Sequence, residues 1–145
     1  MQVTSDNTGA VRSRAVLIVD DDDDIRTAVQ EVLEGEGYPT AGACNGREAL
    51  EMLRSTEPLP ALILLDLMMP EMDGWELLVR MDEIPDLHRI PVALMSAHPS
   101  IRRAFDQTTK ESAKRVGTSL LLPKPLNLLR LLSIVHRIIP EETPA

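Results

Sequence analysis

Residues 15–25, AVLIVDDDDDI, pass directly from five apolar residues to five aspartates. A short, unbroken apolar run is typical of a strand that is buried on both faces of a parallel sheet. From Ile25 onward, apolar residues recur at helical spacing until Gly35 and Gly37, which are stop signals for a helix. This stretch therefore predicts a buried strand, an acidic turn and a helix.

The same unit recurs along the chain. After residues 15–19, the predicted strands are residues 38–43, 61–65, 90–95 and 120–122. After the first helix, the predicted helices are residues 46–54, 75–81, 101–116 and 126–139. Strands that alternate with helices require right-handed crossovers, which give a parallel sheet covered by helices on both faces. The sequence thus predicts a three-layer α/β fold with five strands and five helices.

The length and composition limit the possible functions. A chain of 145 residues favours one domain, and 15 basic against 23 acidic residues give a net charge of −8. Nucleic-acid binding is not expected, because that affinity comes from clustered Lys and Arg. The single cysteine, Cys44, excludes an internal disulfide. No apolar stretch approaches the ~20 residues of a membrane span, so we expect a cytoplasmic protein without membrane insertion.

The expected domain organisation has three parts. Residues 1–14 are polar and small, and they predict a mobile arm. Residues 15–140 carry the alternating pattern and predict one domain, followed by a short tail at residues 141–145. No linker leading to an output domain is predicted.

Polar side chains follow the predicted strands, at the edge where an open α/β sheet carries its functional crevice. These residues are Asp20, Asp21, Asp66, Ser96 and Lys124. Grouped carboxylates repel one another unless a cation compensates, and hard oxygen ligands select Mg²⁺ or a similar ion. Two simpler interpretations remain for single acids: residues 22–24 can cap the helix, and Asp66 can form a turn before Pro70.

Four segments resemble the receiver domain of two-component response regulators. They are VLIVDDDDDIR at residues 16–26, ILLDLMMPEMDGWELL at 63–78, PVALMSA at 91–97 and LLLPKP at 120–125. The resemblance covers nearly the whole predicted domain. It implies a flavodoxin-like fold with the strand order 2-1-3-4-5.

The resemblance also implies the chemistry of the site. Asp66 corresponds to the phosphoacceptor, and Asp20, Asp21, Asp66 itself and the Met68 carbonyl correspond to ligands of Mg²⁺ (or Mn²⁺). The implied phosphoryl donor is a phosphohistidine on a sensor histidine kinase or a histidine phosphotransfer protein. A carboxylate can attack phosphorus, and such transfers depend on positioning and charge neutralisation. Because this reaction modifies the chain itself, we do not expect an enzyme in the ordinary sense.

Further positions have roles only through this resemblance. Ser96 would donate a hydrogen bond to a phosphoryl oxygen, and Lys124 would pair with the phosphate. A cis peptide would precede Pro125, and the small Ala97 would leave room for the phosphodonor. His98 follows the site and either modulates the phosphate lifetime or is an ordinary exposed loop residue.

The sequence departs from the family in three places. Leu121 stands where receivers usually carry an aromatic switch residue, so we expect the signal to pass through movement of the backbone and of the fourth helix. The segment between Ser96 and Lys124 is longer than is usual. The last helix has apolar residues on more than one stripe, which either widens its core face or, with the fourth helix and fifth strand, forms a docking or homodimer surface.

The predicted function is that of a phosphorylation-activated receiver that signals by binding an unknown downstream protein. One rival is a receiver-shaped interaction module that works without phosphate, which Leu121 favours. A second rival is a Mg²⁺-dependent phosphohydrolase with an aspartyl intermediate.

Overall fold

The computed structural model describes residues 3–5, 11–69, 72–97 and 121–140. Within these ranges the strands are β1 (Val3–Ser5), β2 (Val11–Ser13), β3 (Val16–Val19), β4 (Thr40–Ala43), β5 (Leu62–Asp66), β6 (Val92–Ser96) and β7 (Leu121–Pro123). The helices there are α1 (Asp23–Gly35), α2 (Gly46–Ser55), α3 (Gly74–Asp82), the short α4 (Pro85–His88) and α5 (Leu128–Ile138). None of these helices has the length and apolar character that a membrane crossing requires.

The central sheet has five parallel strands in the order β4-β3-β5-β6-β7. Counted within this sheet, the order is 2-1-3-4-5, which confirms the expected topology. The chain runs outward from β3 to β4 and then returns to β5 on the other side of β3. The direction of winding therefore reverses between β3 and β5, and the functional crevice is expected beyond their carboxyl ends.

Alternate residues of the strands enter two separate apolar layers. Leu17 and Val19 of β3 join the layer formed with α2 and α3, whereas Val16 and Ile18 join the layer formed with α1 and α5. Each strand residue from Val16 to Val19 is at most 3% exposed. Because both faces of the sheet are covered, the apolar strands are buried on both sides and the three-layer prediction is confirmed.

Short polar side chains set the beginnings of the helices. Asp22 caps α1 by accepting hydrogen bonds from the backbone N–H groups of Asp24 and Ile25. Asn45, Asp73 and Asn127 cap α2, α3 and α5 in the same way. Capping therefore explains Asp22, the third aspartate of the run, but it leaves Asp20 and Asp21 to another role.

A mobile arm was expected for residues 1–14, and two parts of this segment form short strands, β1 and β2. β1 pairs antiparallel with β2. The Ser13 side chain is buried, and its hydroxyl donates a hydrogen bond to the Leu59 carbonyl at 3.1 Å. The Arg14 guanidinium donates to the Pro140 carbonyl at 2.6 Å. Composition did not predict this order, because it comes from backbone pairing and from contacts with residues distant in sequence.

Two predicted segments, the helix at residues 101–116 and the tail at 141–145, lie outside the described residues. The other four predicted helices are present, and α4 was not predicted. In α5, Leu131, Ile134 and Val135 are buried, whereas Leu128 and Leu129 are 44% and 80% exposed. The apolar surplus of this helix is thus partly core and partly surface.

Candidate functional site

Three carboxylates meet where the winding of the sheet reverses. Asp66 is the last residue of β5 and is 4% exposed, and Asp20, directly after β3, is fully buried. Asp21 follows on the exposed side of the same turn. Each of the three offers an oxygen, and these oxygens all lie within 4.8 Å of one another. A compact set of carboxylate oxygens without sulfur or imidazole ligands fits Mg²⁺ or Mn²⁺.

Lys124 bridges the two buried carboxylates. Its Nζ donates to Asp20 Oδ2 at 2.8 Å and to Asp66 Oδ2 at 3.1 Å, and its side chain is 13% exposed. The Lys124 backbone N–H donates to the Ser96 carbonyl at 2.8 Å, which holds the end of β7 beside β6. The Lys124–Pro125 peptide bond is cis, the geometry that the resemblance implied. The sheet thus places one ammonium group between two buried negative charges.

The remaining oxygen of each buried carboxylate accepts a backbone hydrogen bond. Asp20 Oδ1 accepts from the Asp22 N–H at 2.9 Å, and Asp66 Oδ1 accepts from the Met68 N–H at 3.0 Å. In both cases the donor is two residues further along the chain, as in an Asx turn. Asp66 therefore does form the turn that the simpler interpretation expected, and it does so while its other oxygen contacts Lys124.

The proton affinities reflect this crowding. Burial raises the pKa of Asp66, and the negative charge of Asp20 raises it further, although the Met68 N–H and Lys124 act in the opposite direction. Burial by itself would lower the pKa of Lys124. Its hydrogen bond to Asp20 and the charges of Asp20 and Asp66 outweigh burial, so the pKa of Lys124 is raised. Three carboxylates facing one ammonium group keep an excess of negative charge, which favours a divalent cation.

The structure brings together most of the predicted site residues that it describes. Ser96 is the last residue of β6 and is 2% exposed, and Ala97 directly after it is exposed. The Met68 side chain is 65% exposed, while its carbonyl as a metal ligand stays a prediction. His98 lies outside the described residues.

The family's aromatic switch position is occupied by a core residue. Leu121 is 3% exposed and packs in the apolar layer that contains α2 and α3. Its carbonyl accepts a hydrogen bond from Arg130 of α5 at 3.3 Å. An aliphatic side chain already buried at this position does not offer an aromatic ring that could turn inward, which agrees with the departure noted in the sequence.

Two residues near the site, Gly74 and Arg26, had no role in the sequence analysis beyond their place in the quoted segments. A Cβ on Gly74 would lie 2.7 Å from the Asp66 carbonyl oxygen and 2.9 Å from Leu67 Cα, so only glycine lets α3 begin this close to the acceptor loop. Arg26 of α1 donates from Nη1 to the Asp20 carbonyl at 2.8 Å. The Asp-Gly pair at residues 73–74 signals a tight turn, whereas no sequence signal indicated that Arg26 contacts the end of β3.

Comparison with known proteins agrees with this geometry. Residues 16–136 match the model of the response regulator receiver domain. Sporulation initiation phosphotransferase F of Bacillus subtilis is 34% identical over 125 residues, which cover 86% of this chain and 93% of that protein. The solved structure of the chemotaxis protein CheY4 of Vibrio cholerae superposes with a TM-score of 0.72 at 27% identity, covering 88% of this chain and 98% of that one.

A second solved structure supports the same assignment. The response regulator receiver protein of Pseudomonas putida matches with a TM-score of 0.73 at 25% identity, covering 88% of this chain and 98% of that one. The family model, the relative and both structures extend over most of the chain, and the residues matched by the family model include every strand of the central sheet. The chain belongs to the response regulator receiver domain family, whose members act in two-component signalling.

Proposed function

We propose that this receiver is switched by phosphorylation of Asp66, with Mg²⁺ or Mn²⁺ as cofactor and a phosphohistidine as donor. The donor is carried by a sensor histidine kinase or a histidine phosphotransfer protein. One observation carries the proposal: Asp66 shares the Lys124 ammonium group with Asp20, and its carboxylate lies within 4.8 Å of oxygens from Asp20 and Asp21. The proposal includes the cytoplasmic location expected from the sequence.

The proposed reaction is an in-line transfer to a carboxylate. An Asp66 oxygen forms a bond to phosphorus, the bond between phosphorus and the donor imidazole nitrogen breaks, and the electron pair of that bond stays on the imidazole. Lys124 neutralises part of the negative charge, and the Ser96 hydroxyl donates to a phosphoryl oxygen. Asp20, Asp21, Asp66 and the Met68 carbonyl would hold the metal ion. When bound, the ion supplies positive charge that offsets the charge of the phosphoryl group.

The positive charge of Lys124 serves the acceptor in a second way. Burial and Asp20 raise the pKa of Asp66, and thereby favour the protonated form that cannot attack phosphorus. Lys124 and a bound divalent cation both favour the ionised form. The proposed cofactor therefore prepares the nucleophile as well as neutralising the incoming phosphoryl group.

The output is proposed to be binding of another protein. Leu128 and Leu129 expose apolar surface on α5, beside β7, which supports a docking or homodimer surface that also involves the predicted helix at residues 101–116. Because Leu121 is aliphatic and buried, we propose that movement of backbone segments transmits the signal. Light scattering across a concentration series tests the homodimer: a monomer at every concentration, with and without phosphorylation, contradicts it.

Intact-mass spectrometry with acetyl phosphate and Mg²⁺ tests the phosphorylation. We expect the gain of one phosphoryl group, no gain in Asp66→Asn, and suppression by a chelator. Asp24→Asn is the matched control, because Asp24 is an exposed aspartate outside the cluster. A phosphoryl gain in Asp66→Asn equal to that of the wild type contradicts the assignment of the acceptor.

The same assay separates the receiver from a module that works without phosphate, and a phosphate-release assay with phosphate esters separates it from a phosphohydrolase. A receiver-shaped module that works without phosphate gains no phosphoryl group under any condition. A phosphohydrolase releases phosphate from esters over many turnovers, whereas a receiver is labelled once per chain. The buried, lysine-bridged acceptor supports the receiver, since an interaction module without phosphate has no need of two buried carboxylates.

A further inference from the structure

We propose that Arg26 is a positioning residue that holds the turn from Asp20 to Asp22 in the shape that binds the metal. The inference rests on the proposed function, in which Asp20 and Asp21 are metal ligands. Arg26 contacts neither the acceptor Asp66 nor the bridging Lys124 through any hydrogen bond among the described residues. It acts through the backbone that carries Asp21.

Both peptide groups that flank Asp21 are held by hydrogen bonds. The peptide group before it contains the Asp20 carbonyl, which accepts from Arg26 Nη1 at 2.8 Å. The peptide group after it contains the Asp22 N–H, which donates to Asp20 Oδ1 at 2.9 Å. Because a peptide group is planar, fixing the Asp20 carbonyl also fixes the direction to Asp21 Cα. The exposed Asp21 carboxylate therefore depends on Arg26 for the position of its own backbone.

The path of the Arg26 side chain depends on a glycine in the edge strand. Its other terminal nitrogen, Nη2, pairs with the Asp23 carboxylate, and the side chain is 19% exposed. A Cβ on Gly42 of β4 would lie 2.9 Å from Arg26 Cδ and 3.3 Å from Arg26 Cγ. Gly42 thus leaves the space through which the guanidinium group reaches the end of β3, and a methyl group there would displace it.

If Arg26 acted only through its charge, its removal would change the Mg²⁺ affinity in the direction opposite to that expected from positioning. A guanidinium group beside the carboxylates repels a divalent cation, so its loss would strengthen Mg²⁺ binding if charge were its main contribution. If Arg26 positions the turn, its loss weakens Mg²⁺ binding, because Asp21 is then free to leave the ligand geometry. The sign of the change therefore distinguishes positioning from electrostatics.

The test is an NMR titration of the metal-free full chain with Mg²⁺. Arg26→Met keeps the apolar stem and removes the donors, and we expect its Kd for Mg²⁺ to rise about tenfold, as for other residues that support metal ligands. Arg26→Lys keeps the charge and one donor group, so we expect a smaller rise. Gly42→Ala should also weaken binding, whereas the control Gly35→Ala should not, because a Cβ there meets nothing within 4 Å.

Two further readouts separate positioning from a general loss of structure. At saturating Mg²⁺, the maximal rate of phosphorylation by acetyl phosphate should return close to the wild-type rate in Arg26→Met, while the half-saturating Mg²⁺ concentration stays raised. The double variant Arg26→Met/Gly42→Ala should bind Mg²⁺ no more weakly than Arg26→Met alone, because both changes remove the same contact.

The outcomes separate this inference from the proposed function. If the wild type binds Mg²⁺ and is phosphorylated, but Arg26→Met binds Mg²⁺ as tightly or more tightly, positioning by Arg26 is overturned and the proposed function stands. If the wild type neither binds Mg²⁺ nor gains a phosphoryl group, both are overturned. If circular dichroism shows that Arg26→Met does not fold, unchanged affinity in both Arg26→Lys and Gly42→Ala overturns the inference.

Discussion

At their carboxyl ends β3 and β5 lead into buried carboxylates, whereas the amino end of β3 borders an apolar cavity of about 180 Å³. The cavity lies between β3, β4, α2 and the loop before β5. Its lining includes Ala15, Ala41, Met52 and Pro58. The carboxyl edge crowds like charges around Lys124, while the amino edge leaves space between small apolar residues. The carboxyl end of the sheet is therefore crowded with charge, whereas the amino end has open apolar space that a larger side chain can fill.

The largest effect on the difference between the two edges is expected when the Lys124 ammonium group is removed from the carboxyl edge. Lys124→Met leaves Asp20 and Asp66 facing each other without the ammonium group, so the free energy of unfolding of the metal-free protein should fall by about 2 kcal/mol. Mg²⁺ should restore part of the loss, because it supplies the missing positive charge. Urea unfolding with and without Mg²⁺ measures both effects. Unchanged stability in metal-free buffer would contradict the crowding described for this edge.

The second prediction is a gain in the free energy of unfolding. Asp66→Asn removes one buried charge, and we expect the metal-free variant to be more stable than the wild type at pH 7. The pKa of Asp66 is raised in the folded protein, chiefly by burial. The favourable contribution of Asp66 to the free energy of unfolding is therefore complete only below the pKa that this group has in the unfolded chain. It is lost as the pH rises through the pKa that the group has in the folded protein.

The pH dependence supplies the check on that prediction. The advantage of Asp66→Asn should shrink when the pH is lowered toward 4, because wild-type Asp66 then takes up a proton. Urea unfolding at several pH values measures the difference. An advantage that stays constant or grows with acidity would show that burial of the charge is not its source. Added Mg²⁺ should also reduce the advantage, because the ion binds the wild type more tightly.

At the amino edge we expect a gain in stability without a change in function. Ala41→Val fills part of the cavity with a residue that suits a strand, and should raise the free energy of unfolding by about 0.5 kcal/mol. Ala43→Val is the matched control on the same face of β4, where the residue is fully buried and does not line the cavity, so overpacking should destabilise the protein. Thermal unfolding compares the two. A loss of phosphorylation in Ala41→Val would contradict the separation of the two edges.

The smallest effect is expected just outside the crowded edge. Asp24 lies in the first turn of α1, is exposed and is not a member of the carboxylate cluster. Asp24→Asn removes a favourable interaction with the helix dipole and should lower the free energy of unfolding by about 0.3 kcal/mol. Mg²⁺ affinity should change far less than in Asp21→Asn. Equal losses of affinity in the two variants would show that the whole acidic run, and not its first two members, binds the ion.

Much of the fold was predictable because its signals are local. The apolar runs at residues 15–19 and 61–65 indicate strands covered on both faces, and glycines and capping residues mark helix ends. The contacts of the segment at residues 1–14 were not predictable in this way, because β1 pairs with β2 through the backbone and Arg14 contacts the Pro140 carbonyl, which is far away in the sequence. The amino-acid composition of a segment does not indicate such contacts.

The sequence by itself determined which chemical groups this protein has and, through the alternation of strands and helices, at which strand ends they stand. Only the tertiary structure decided that Asp20 is fully buried while Asp21 is exposed, that Lys124 bridges Asp20 and Asp66, and that Arg26 holds the Asp20 carbonyl. The physical reason is distance along the chain. Burial and charge pairing depend on how strands separated by tens of residues lie side by side, whereas residue spacing specifies only the periodicity of each element.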